Sequence, residues 1–122
     1  ITAEPLMPTP LAAILIGSVG GIIVIFGTKL LFFFKIDDVV GAIPAHLFAG
    51  IWGTLVVPLT NPDASFSAQL LGVIAINVFV FVVSFTIWSI MKTTIGIRLS
   101  KDAEKTGTDV FETGVIAYAI KD

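Results

Sequence analysis

Three apolar stretches dominate this chain of 122 residues, and each is long enough to cross a lipid bilayer. The first runs from Leu11 to Phe34 with Lys29 as its only charge. The second runs from Val39 to Leu59 with His46 as its only ionisable group, and the third from Phe66 to Met91 with no charge at all. They measure about 24, 21 and 26 residues, against the roughly 20 apolar residues a helix needs to span a hydrocarbon core. Composition agrees: 56% of the residues are hydrophobic, 13% are charged, and the mean hydropathy is +1.01. A soluble domain carries about 25% charge, so this chain lacks the means to cover a surface facing water. The expected class is an all-α polytopic membrane protein.

Other classes are excluded on the same grounds. Disorder requires low hydrophobicity with high net charge, whereas the net charge here is −2. No two basic residues are adjacent and the pI is near 5.2, so no nucleic-acid surface is expected. Cysteine is absent and His46 is the single histidine, which leaves no basis for a structural metal site or a cofactor. Enzymatic chemistry is not expected. Ser84 and Ser89 lie on a charge-free helix where hydroxyls bond their own backbone. The run Gly17-Ser18-Val19-Gly20-Gly21 lacks the strand context and the lysine of a phosphate loop.

The segments between the stretches set the expected topology. Lys29 and Lys35 close the first stretch, and Lys92, Arg98, Lys101 and Lys105 follow the third, while the connection between the second and third carries Asp63 and no basic residue. The positive-inside rule then gives an external segment 1–10, a transmembrane helix 11–34, a cytoplasmic loop 35–38 and a transmembrane helix 39–60. An external loop 61–65, a transmembrane helix 66–92 and a cytoplasmic tail 93–122 complete it. Pro5, Pro8 and Pro10 make the opening extended, and Glu4 sits where a signal peptide would need positive charge. Beginning on Ile1, the chain reads as processed or as part of something longer. Asp37 or Asp38 is placed to cap the second helix, and Asn61-Pro62-Asp63 marks a turn. In the tail, Asp109 is placed to cap a short last turn from Val110 to Tyr118.

Along the second helix, Gly41, Ala45, Ala49 and Gly53 recur at four-residue spacing, a stripe that lets helix backbones approach closely; Gly17 and Gly21 form a second, shorter pair. Asn77, the one amide in the middle of the third helix, is expected to bond a neighbouring helix. Trp52 and Trp88 suit packing or an interfacial belt.

His46 is the most informative residue. It lies about seven residues into its helix, so about 10 Å from the cytoplasmic end and close to the bilayer centre. An ionisable side chain at that depth faces a cavity, a partner or a pathway by default. Neutral imidazole offers one donor and one acceptor, which suits relaying a proton or holding a polar neutral solute. A histidine that only packs against a neighbouring helix is the alternative.

The stretch from Lys35 to Leu55, with Asp37-Asp38, then His46, then Gly50-Ile51-Trp52-Gly53, resembles the ammonium transporter family (Amt/Mep/Rh). The resemblance continues through Gln69-Leu70, Gly96-Ile97-Arg98-Leu99 and Glu104-Lys105-Thr106-Gly107-Thr108-Asp109 to Ala117-Tyr118. It implies the last three helices of an eleven-helix bundle in the plasma membrane, assembled as a homotrimer with one pore per subunit. His46 would be the second of a pair of pore histidines, with Ala42 facing the same lumen one turn earlier and Asp38 as a helix cap near the inner vestibule. The partners implied are ammonium or ammonia, the lipid bilayer, the remaining helices of the fold and a PII-type regulator acting through the tail.

Two departures from the family pattern stand out. Leu47-Phe48 follow His46 where the family has small residues, and Phe111-Glu112-Thr113-Gly114-Val115 replaces a His-Gly-Glu segment. They keep a second reading open, in which the same fold senses ammonium for a downstream signalling module reached through Lys121-Asp122.

Overall fold

The computed structural model describes residue 4 and residues 6–116; Pro5, Ala117-Tyr118 and Lys121-Asp122, which enter the expectations above, lie outside the described residues. The described residues are all helical or irregular, with no strand among them. The chain divides into two compact units, Ile1–Phe79 and Val80–Asp122.

In the first unit, α1 spans Pro10–Phe33. Thr9 caps it, its hydroxyl accepting from the Ala12 amide at 3.3 Å, and Pro10 occupies the first turn, where a missing amide costs nothing. Ser18 and Thr28 donate to the carbonyls of Ile14 and Val24, at 2.8 and 2.9 Å, so their polarity is absorbed within the helix. The helix ends in a Schellman turn. Ile36 donates to Leu31 and Lys35 donates to Phe32, with Lys35 in the left-handed region at φ 56°.

The second apolar stretch folds as one short helical segment of three kinds: a π-helical turn Ile43–Phe48, an α-helix α2 over Ala49–Val56, and a 3-10 turn Val57–Leu59. The Asp38 carboxylate opens it, accepting from the amides of Ala42 at 2.9 Å and Ile43 at 2.8 Å. Of the two adjacent aspartates, Asp38 is therefore the one seated on the helix start, where its charge also meets the positive end of the backbone dipoles. Pro44 lies in the first turn, where its missing amide breaks no bond.

α1 packs against the π turn and α2 through small residues. Gly20, Gly27 and Leu31 are buried on α1, facing an interior that includes Pro44, Ala49, Gly53, Val56 and Val57. Gly27 is where the backbones close most tightly: a Cβ there would lie 2.6 Å from Cδ2 of Phe48 and 3.1 Å from Cβ of Pro44. The Trp52 indole ties the pair together by donating to the Ile16 carbonyl at 3.1 Å. At the far end, Glu4 accepts from the Asn61 amide at 2.8 Å, and Asn61 accepts from the Asp63 backbone, closing the turn.

Helix α3, Phe66–Thr94, buries no residue. Its end is set by Gly96 at φ 76°, whose amide donates to Met91 at 3.1 Å in a left-handed cap. In the second unit, Ser100 caps α4 (Lys101–Thr106) through the Ala103 amide, Arg98 pairs with Glu104 at 3.0 Å on the exposed surface, and α5 follows over Thr108–Thr113.

Among the described residues two helices, α1 and α3, are long and apolar enough to cross a membrane. Their outer faces carry large apolar side chains, among them Phe26 and Ile25 on α1 and Phe79, Phe81 and Phe85 on α3, each more than half exposed. Apolar area on this scale requires lipid or neighbouring protein rather than water.

Candidate groove around the single histidine

His46 sits within the π turn. The Ala49 amide donates to the Pro44 carbonyl five residues back, the hydrogen bond that defines this wider turn. Isolated π turns inside helices recur at functional sites. The turn is wedged by its own residues: Pro44 is fully buried, and Phe48 fills the space left by the missing side chain at Gly27. Packing against α1 thus fixes the stretch of backbone that presents His46.

The imidazole opens onto a groove of about 350 Å³ between this segment and the first half of α3. One wall is His46, Leu47, Gly50, Ile51 and Thr54; the other is Gln69, Gly72, Val73, Ile76 and Asn77. Its polar side chains are His46, Thr54, Gln69 and Asn77, set among glycines and aliphatic residues. No charged residue lines the groove apart from the ionisable His46.

The polar groups are partly committed. Thr54 donates its hydroxyl proton to the Gly50 carbonyl at 3.0 Å, and Asn77 donates from its amide nitrogen to the Val73 carbonyl at 2.8 Å. Asn77 therefore bonds its own helix and not the neighbouring one expected from sequence. Both side chains keep an oxygen acceptor free for the groove.

The other residues singled out in sequence are placed as follows. Ala42 is exposed, donates its amide to Asp38 and does not line this groove. Of the four-residue stripe, Ala49 and Gly53 are buried, Ala45 is exposed, and Gly41 lies in the turn before the helix at φ 68°. The wide turn explains the break, because a four-residue stripe presumes 3.6 residues per turn throughout. On α1 the buried glycines are Gly20 and Gly27, while Gly21 is exposed with nothing within 4 Å of its would-be Cβ. Thr54 was not singled out, and Gln69 entered only through the family resemblance. Their signal was available, since each is a hydrogen-bonding side chain inside an apolar stretch. Among the described residues, no group of three or more His, Asp or Glu side chains converges as a metal site would require.

A helical chain with two apolar, bilayer-length helices, exposed apolar faces and an uncharged polar groove around one histidine defines a membrane protein built to meet further helices. The match to protein families is specific: the model of the Ammonium Transporter Family covers residues 1–118. The chain belongs to that family. It is similar to the Synechocystis protein sll1017, with 40% identity over 105 residues, 84% of this chain and 24% of that protein. It is also similar to the ammonium transporter Amt2 of Archaeoglobus fulgidus, with 32% identity over 138 residues, 97% of this chain and 30% of the relative. The ammonium transporter Amt1 of Methanocaldococcus jannaschii is 34% identical over 119 residues, 91% of this chain and 30% of the relative. The chain thus spans 24–30% of the length of these relatives. No solved structure matches it.

Proposed function

We propose that this chain supplies the last three membrane helices and the cytoplasmic tail of an ammonium transporter, and that ammonium or ammonia passes His46 on its way through the complete bundle. The observation that carries the reading is the setting of His46: the only histidine, on a packing-fixed wide turn, opening onto a groove with no formal charge nearby. In such a setting a neutral, hydrogen-bonding solute is favoured over an ion, because desolvating a charge costs far more than desolvating a hydrogen-bonded neutral group. The names of the relatives support ammonium as the substrate.

On this reading Ala42 faces the lumen one turn before His46, and Asp38 fixes the helix start near the inner vestibule. Gly41 and Ala45 are left for the remaining helices of the bundle, while Ala49 and Gly53 serve the packing against α1. The N-terminal end is external and the tail cytoplasmic, following the distribution of Lys and Arg. Assembly as a homotrimer in the plasma membrane and regulation by a PII-type protein through the tail are further parts of the same proposal.

The test is a solid-supported-membrane current from proteoliposomes carrying the complete parent protein, with ammonium and methylammonium as substrates, beside a His46→Ala variant. A saturable current that the substitution alters supports conduction past His46. Ammonium binding by calorimetry with no current in the unmodified protein would replace transport by sensing. Loss of both binding and current would leave His46 a packing residue.

A further inference from the structure

We propose that Phe48 is the positioning residue for His46: its ring, seated in the notch at Gly27, holds the π turn in its wide register and keeps the imidazole directed away from α1. This rests on the reading of His46 as part of the conduction path and extends it to an apolar side chain with no assigned role.

Two side chains of the π turn bracket His46. Pro44, two residues before it, is fully buried, and Phe48, two residues after it, is half-buried. Both close on one position of α1. A Cβ built at Gly27 would lie 2.6 Å from Cδ2 and 3.1 Å from Cε2 of Phe48, and 3.1 Å from Cβ of Pro44. At about 100° per residue, two steps along a helix come to about 200°, and a wider turn keeps the angle near a half-turn. Residues 44 and 48 therefore face α1 while residue 46 faces away from it, in agreement with the exposure of Ala45, His46 and Leu47.

Backbone hydrogen bonding does not choose this register by itself. The Ala49 amide donates both to the Pro44 carbonyl, five residues back, and to the His46 carbonyl, three residues back. A bond shared in this way leaves the turn balanced between a wider and a tighter form. The residues beyond it are anchored, since Ala49 and Gly53 are buried and the Trp52 indole donates to the Ile16 carbonyl at 3.1 Å. A change of register is therefore taken up before Ala49, where Gly41 at φ 68° tolerates the backbone change that a bulkier residue would resist. One residue of register rotates the imidazole by about 100°. Without the Phe48 ring, only Pro44 would remain against Gly27 to oppose that rotation.

The experiment uses the full-length parent protein with isotopically labelled histidine, observed by NMR in lipid nanodiscs, and methylammonium currents from proteoliposomes alongside. The His46 ring resonances are assigned by their loss in His46→Ala. Phe48→Ala empties the notch and is expected to shift those resonances and lower the current about tenfold, within the range of loss when a participating group is misplaced by about 1 Å. Phe48→Leu still reaches the notch and is expected to keep both near the unmodified protein. Gly27→Ala displaces the ring from the α1 side and is expected to shift the same resonances. Val56→Ala is the packing control: Val56 is buried on α2, eight residues after Phe48, so the substitution should lower the melting temperature and leave the resonances in place. Unshifted His46 resonances in both Phe48→Ala and Gly27→Ala, or equal shifts in Val56→Ala, would overturn the positioning role. Shifted resonances together with an unaltered current in His46→Ala would keep that role and remove the conduction reading instead.

Discussion

Substituting Gly27 tests whether the wide turn is held in place by contact with α1. An alanine Cβ at this position would stand 2.6 Å from Cδ2 and 3.1 Å from Cε2 of Phe48, and 3.1 Å from Cβ of Pro44. Carbon atoms rest about 3.5–4.0 Å apart, so something must retreat by about 1 Å. Pro44 is fully buried and its ring is rigid, which leaves the half-buried Phe48 ring to move. Overpacking of this kind costs about 1–3 kcal/mol. Replacing a mid-helix glycine by alanine returns about 1 kcal/mol of helix propensity. The net expectation for Gly27→Ala is a destabilisation of about 0–2 kcal/mol. For Gly27→Val, whose extra methyls meet the same wall, it is about 3 kcal/mol. In a Phe48→Ala background only the Pro44 contact at 3.1 Å remains, and Gly27→Ala should cost measurably less than in the unmodified protein. The assay is thermal melting of the detergent-solubilised full-length protein as a double-mutant cycle, with methylammonium current measured in parallel. Because Phe48 and His46 share one turn, Gly27→Val should also lower the current without touching the histidine. An equal melting shift for Gly27→Ala in both backgrounds would refute the packing argument, since contacting residues must couple.

Further outcomes follow from the helix ends and the loops. Asp38→Ala removes the acceptor of the Ala42 and Ile43 amides and should cost about 1–2 kcal/mol, read as a lower melting temperature. Lys35→Gly relieves a left-handed residue at φ 56° and should stabilise by about 1 kcal/mol with the current unchanged. In a cysteine-free parent, Asp63→Cys should react with an impermeant maleimide added outside intact cells, and Lys101→Cys only after permeabilisation. The reverse pattern would invert the orientation argued from Lys and Arg.

Long apolar runs left little freedom in the fold, and α1 and α3 could be read from them. Each also has a local stop: the lysine-bearing turn after Phe33 and the glycine at position 96. The second stretch was harder, because its conformation is decided by a partner. Nothing in Ile43-Pro44-Ala45-His46-Leu47-Phe48 requires a π turn. Its side chains fit α1 only where Gly27 gives up its own, and that contact joins residues far apart in sequence. For the same reason the regular spacing of Gly41, Ala45, Ala49 and Gly53 could not be extrapolated through the turn. The choice of Gly20 and Gly27 over Gly17 and Gly21 likewise depended on which face α1 turns inward. Asn77 was legible as polar but not as locally bonded, because a mid-helix amide can satisfy itself on its own backbone before any neighbour arrives.

The site combines these two kinds of information. The identity of His46 was plain from composition, since a single ionisable group in an apolar stretch has few bland explanations. Its direction depends on the turn, the turn on Phe48 and Pro44, and those on the absence of a side chain at position 27. A residue on α1 that never meets the solute thus sets where the imidazole stands. Substitutions at Gly27 should therefore alter current and stability together, whereas His46→Ala, at an exposed side chain, should alter current with little change in melting. If changes at both places moved stability and current alike, His46 would be a packing residue and not part of a path.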